Sequence, residues 1–105
     1  MIRAEFLMRA GQPAGFRVSG HSGYSGAGTD IVCAAVSSAA YMAANTITDV
    51  IGAAADVSVE DGRMVLKLPE QSVASCSAVL KGFRLHLAAL KKQYPKNIEL
   101  TDTEV

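Results

Sequence analysis

Apolar and polar positions alternate at the start of the chain. Ile2, Ala4, Phe6 and Met8 share one face of an extended segment, with Arg3, Glu5 and Arg9 among the intervening positions. That period of two predicts a strand over Met1 to Arg9. Gly11-Gln12-Pro13-Ala14-Gly15 is turn chemistry, and Phe16 to Ser19 alternates again. The pair reads as a hairpin that delivers His21 to a strand end. The period then changes to 3.6. Val32, Val36, Ala39, Ala40, Ala43, Ile47, Val50 and Ile51 gather on one face, which predicts a helix from about Asp30 to Ile51. Thr29 is the expected N-cap, Asp30 suits the positive end of the helix dipole, and Gly52 ends the element.

Alternation returns over Ala55 to Glu60 and over Arg63 to Leu68, with Asp61-Gly62 between them and Pro69 after. Asp-Gly is the two-residue turn that tight hairpins prefer. A second helix is expected from Ser72 to Gln93, with a buried stripe of Val73, Cys76, Leu80, Phe83, Leu87 and Leu90. Leu85 points away from that stripe and hints at a partner surface. Tyr94-Pro95 breaks the helix. Asn97 to Thr101 is expected as a short edge strand, and Thr103 to Val105 to fray. The order is β-β-α-β-β-α with a final β. It predicts an α+β fold, a mostly antiparallel sheet built from two hairpins with two long helices packed on it. At 105 residues the chain is one domain, residues 1–105.

Composition narrows the function classes. Ten acids balance ten bases, so no net charge draws the chain to nucleic acid or a membrane surface. Lys91, Lys92 and Lys96 read as a solvated helix end. No signal-peptide pattern opens the chain, and polar residues interrupt the nearest approach to a membrane span. Two cysteines, Cys33 and Cys76, make no disulfide framework, so the expectation is a cytoplasmic protein with reduced thiols.

The candidate chemistry lies between residues 19 and 37. Cys33 falls in the first turn of the predicted helix, and the positive end of a helix and a nearby imidazolium both favour a thiolate. His21 precedes it by twelve positions, close enough for a strand end and the next helix start to bring base and nucleophile together. Gly20, Gly23, Gly26 and Gly28 let the connecting backbone approach a ligand and order around substrate. They match no phosphate-binding pattern, and the loop has no lysine. Tyr24 reads either as a surface for a bound peptide or as a loop anchor. Asp30 has a structural reason at the helix start, with orienting His21 or holding a substrate amide as its other roles. Ser22 is too near His21 in sequence to be its nucleophile. Cys76 reads as core, and His86 has no partner at metal-ligand spacing, so no metal or cofactor is expected.

Gly20-His21-Ser22-Gly23-Tyr24 followed by Gly28-Thr29-Asp30-Ile31-Val32-Cys33-Ala34-Ala35-Val36-Ser37 resembles the signature of the ribosomal-processing cysteine proteases called Prp. The resemblance implies a bacterial cytosolic endopeptidase and a homodimer. Its substrate would be the precursor of large-subunit ribosomal protein twenty-seven, trimmed of an N-terminal extension during ribosome assembly. It implies Cys33 as nucleophile, His21 as general base and Asp30 as the family's acid before the cysteine. Ser22 departs from the small alanine common after the histidine, and the loop is unusually rich in glycine and alanine, which bears on substrate preference. The rival readings are a non-catalytic assembly binder and a redox-sensing thiol.

Overall fold

The computed structural model describes residues 1–20 and 30–105. Strands β1 (Ile2–Arg9) and β2 (Gln12–Gly20) form the first hairpin. Helix α1 (Ile31–Asn45) continues as a π-helical segment, Thr46–Ile51. Strands β3 (Asp56–Glu60) and β4 (Arg63–Lys67) form the second hairpin. A 3₁₀ turn (Glu70–Ser72) leads into α2 (Val73–Gln93), and β5 (Ile98–Glu104) closes the described chain. The five strands make one sheet in the order β3-β4-β2-β1-β5. All pairings are antiparallel except β5 on β1, which is parallel with Ile2 opposite Ile98. This is the α+β architecture expected from the pattern.

Several boundaries differ for local reasons. The first turn is only Ala10-Gly11, both at positive φ (52° and 78°), the geometry of a two-residue type I′ turn. Pro13 and Ala14 therefore belong to β2 and not to the turn. Pro13 is tolerated because it sits at the register shift after Leu7, before the pairing with β4 begins at Gly15. A Cβ at Gly15 would overlap the Leu66 carbonyl oxygen, so glycine lets β4 approach there. The C-terminus does not fray at Thr103. β5 runs to Glu104 because β1 offers it a full ladder, and Val105 N–H still donates to the Met8 carbonyl at 2.8 Å.

The core lies between the sheet and the helices. Phe6, Phe16 and Phe83 meet edge-on or tilted at 4.9–6.3 Å, locking α2 onto β1 and β2. Cys76, Leu80, Phe83 and Leu87 are buried, as the stripe predicted, while Leu85 is 73% exposed. On α1 the stripe holds through Ile47 and then fails: Val50 is 80% exposed and Ile51 is also outside the core. The π turn carries i→i+5 bonds, with Gly52 N–H donating to Ile47 O, and so shifts the phase of the last turn. Averaged hydropathy makes both helices apolar enough for a membrane span, contrary to the run-length reading, yet their apolar stripes are spent on the sheet.

Candidate active site

Four chain segments meet at one end of the sheet: the start of β1, the end of β2, the β3–β4 turn and the start of α1. Gly20 ends β2 at φ 94°, a conformation that side chains rarely adopt. Its N–H donates to the Gly62 carbonyl at 2.9 Å, and a Cβ on it would overlap the Met1 carbonyl oxygen. The strand end is thus pinned between two neighbours. His21, Ser22, Gly23, Tyr24, Gly26, Gly28 and Thr29 lie outside the described residues.

The chain is described again at Asp30, which is the N-cap of α1 in place of the expected Thr29. Asp30 is 9% exposed, and its Oδ1 accepts the Cys33 backbone N–H at 2.9 Å. Its carbonyl accepts the Ala34 N–H at 3.1 Å. The carboxylate therefore holds the backbone of the candidate nucleophile and closes the helix start. This has a chemical consequence. The Cys33 amide is committed to the cap, so an oxyanion held at this helix end draws on Ile31 N–H, Val32 N–H or the preceding loop.

Cys33 is a free thiol, half-buried, at the edge of the core cluster. It lines an open cavity of about 110 Å³ together with Ser19, Gly20, Val36, Ser37 and Tyr41. The β3–β4 hairpin closes the far side with Val59, Glu60, Gly62, Arg63 and Met64. Gly20 and Cys33 thus share one cavity, which brings the residue before His21 to the same opening as Cys33. Cys76 is fully buried and His86 is exposed on α2, away from this cavity.

Of the residues the sequence singles out, Cys33 and Gly20 line this cavity and Asp30 caps the helix beside it; the cavity walls are not among them. Ser37 and Tyr41 carried a signal: they follow Cys33 at i+4 and i+8, one stripe of α1. Val59 and Met64 carried none, because only the sheet order brings the second hairpin beside α1.

Comparison with solved structures places the fold among close relatives in shape. The structure of the ribosomal processing protease Prp from S. aureus with a covalently linked product peptide matches with TM-score 0.90 at 22% identity, covering 98% of this chain and all (100%) of that one. The same protease with a substrate peptide matches with TM-score 0.85 at 21% identity, covering 98% and 100% of the two chains. SMU.848 from Streptococcus mutans matches with TM-score 0.82 at 23% identity, covering 100% and 96%. Comparison with curated protein sequences gives no match. The family model described as cysteine protease Prp matches residues 1–99, nearly the whole sheet and both helices, and the chain belongs to that family.

Proposed function

We propose that the chain is a cysteine endopeptidase that removes the N-terminal extension of large-subunit ribosomal protein twenty-seven during bacterial ribosome assembly, with Cys33 as nucleophile and His21 as general base. The observation that carries this reading is the shared cavity. The residue preceding His21 and the thiol of Cys33 line the same opening, and Asp30 fixes the backbone of the nucleophile. The S. aureus relative binds peptide at a site on the same fold.

In this mechanism His21 takes the Cys33 proton and the thiolate attacks the scissile carbonyl carbon. Electrons move onto the carbonyl oxygen, where backbone N–H groups hold the oxyanion, each donor worth about 3 kcal/mol. The imidazolium then protonates the departing amine as the C–N bond breaks. Water, deprotonated by the same imidazole, attacks the thioester and releases the acid and the thiol.

The protein acts in the cytoplasm as a homodimer, without cofactor, metal, nucleic acid or membrane. The dimer surface that fits is the outer groove between α1 and α2, lined by Met42, Val79 and Phe83, with Met42 62% exposed. The test incubates the protein with the precursor of ribosomal protein twenty-seven and reads product masses. Loss of one N-terminal fragment at a single site supports the reading; an intact precursor contradicts it. Sedimentation of wild type and Met42→Asp reads the dimer.

A further inference from the structure

The sheet face turned away from the helices carries a cavity that the protease reading does not use. Side chains alternate along β2 and β4. Phe16, Val18, Met64 and Leu66 enter the core under the helices, so Arg17, Arg63, Val65 and Lys67 stand on the other face. Val65 is directly opposite Arg17 on β2 and Ser58 on β3. Arg63 and Lys67 lie two positions to either side of Val65, diagonal to Arg17 at about 7–8 Å, within reach of long side chains. These residues and Asp56, which is opposite Lys67, line an open cavity of about 190 Å³. Val65 is buried there, and every other lining residue is polar or charged.

Three cations against one acid give the lining a net positive charge. Neighbouring acids do not cancel it by pairing. Glu60 stands opposite Arg63 and Asp56 opposite Lys67, yet neither cation forms an ion pair with a described residue. Glu5 takes Arg17 through Nη1 at 2.6 Å and leaves its Nε without an acceptor and closed to water. Such a donor is rare in folded proteins and calls for an acceptor. A turn of the guanidinium toward the cavity brings Nε to an oxygen placed there.

The donors define the ligand. Arg17, Arg63, Lys67 and the Ser58 hydroxyl converge from three strands. A carboxylate offers them two oxygens, whereas a tetrahedral oxyanion offers four. Asp56 adds discrimination. Its carboxylate repels an anion that has no proton, such as sulfate or an RNA phosphodiester, but accepts a hydrogen bond from a P–OH group. We propose that this face binds one phosphate group that still carries a proton, as the free ion or as a small ester. Arg17, Arg63, Lys67 and Ser58 donate to it and Asp56 accepts from it. The bound group bridges β2, β4 and the edge strand β3. The site is independent of Cys33.

The test titrates the full chain with inorganic phosphate by calorimetry at about pH 6, where a phosphate ester also keeps much of its proton. Sulfate, methyl phosphate and a single-stranded RNA oligonucleotide are titrated alongside. Saturable binding of one phosphate is expected, at least about tenfold tighter than sulfate. Methyl phosphate separates the two sources: equal affinity supports a site for esters, and affinity about tenfold weaker supports a site for the free ion. Arg17→Lys keeps the charge but loses Nε, and Lys67→Gln loses one cation; each is expected to weaken phosphate at least about tenfold. Lys67 is exposed, so Lys67→Gln stays informative where Arg17→Lys fails to fold. Asp56→Asn is expected to narrow the gap between phosphate and sulfate. No saturable binding, equal binding of phosphate and sulfate, or unchanged affinity in Lys67→Gln would each overturn the site. RNA that binds tighter than phosphate would also overturn it, because a phosphodiester strand would then be the ligand.

Discussion

Both helices carry a cysteine in their opening turn, and the two thiols have opposite surroundings. Cys33 is the third residue of α1 and Cys76 the fourth of α2. α1 starts from a side-chain cap, Asp30, at a sheet end where four segments leave a cavity. α2 starts from a 3₁₀ turn with no side-chain cap, and its first turn is pressed onto the core, leaving Cys76 0% exposed. Both thiols stand at a helix N-terminus, but only Cys33 lines an open cavity. Access and a fixed backbone, not helix position alone, separate a candidate nucleophile from a small core residue.

The largest expected difference is in reactivity. Iodoacetamide should modify Cys33 in the native protein at least about 1000-fold faster than Cys76, whose exposure requires unfolding. Peptide mapping of the alkylated chain reads it, and equal labelling of both thiols would break the comparison.

Backbone geometry gives the next largest effect. Gly20→Ala forces a side chain into positive φ and into the Met1 carbonyl, and should lower stability by about 1–3 kcal/mol. Gly82, in α2, has nothing within 4 Å of where a Cβ would stand. Gly82→Ala should therefore raise stability by about 0.5–1 kcal/mol. Urea unfolding of the two variants measures both signs.

Removing the cap comes third. Asp30→Ala should cost about 1 kcal/mol and slow cleavage, while Asp30→Asn, which still accepts the Cys33 amide, should keep most of the stability. A loss in Asp30→Asn as large as in Asp30→Ala would show that the charge, and not the cap, matters.

The smallest effect belongs to the edge of the sheet opposite β3. Arg84 donates to Asp102 through Nε at 2.8 Å and Nη2 at 2.6 Å, tying α2 to β5. These hydrogen bonds hold the Asp102 carboxyl below its ordinary range. A carboxylate held down in the folded state stabilises above its unfolded pKa, and that contribution is lost as pH falls through the folded value. Both side chains are 40% exposed, so the pair is worth less than about 1 kcal/mol. The stability gap between wild type and Arg84→Gln should be present at pH 7 and shrink below about pH 4.

Much of this contrast was legible in the residue pattern. The stripe through Cys76, Leu80, Phe83 and Leu87 marks that cysteine as core, because 3.6-residue periodicity is a local property. The Asp61-Gly62 hairpin is likewise local. Three features were not legible. The failure of the α1 stripe at Val50 depends on a π turn, which apolar spacing does not encode. The length and parallel pairing of β5 depend on the free edge of β1. The walls of the cavity depend on sheet order, which sets Val59 and Met64 across from Tyr41 although 18 and 23 positions separate them in the chain. At the site, the motif singled out Cys33 and Asp30, but the cap bond that joins them emerged only from the fold.

Cys33, and not Cys76, is the proposed nucleophile. The most direct measurement compares cleavage of the ribosomal precursor by wild type, Cys33→Ala and Cys76→Ala under identical conditions. Cys33→Ala should lose activity by more than about 1000-fold while keeping its fold, and Cys76→Ala should cleave at close to the wild-type rate with only a lower unfolding midpoint. Cleavage that survives Cys33→Ala would contradict the account.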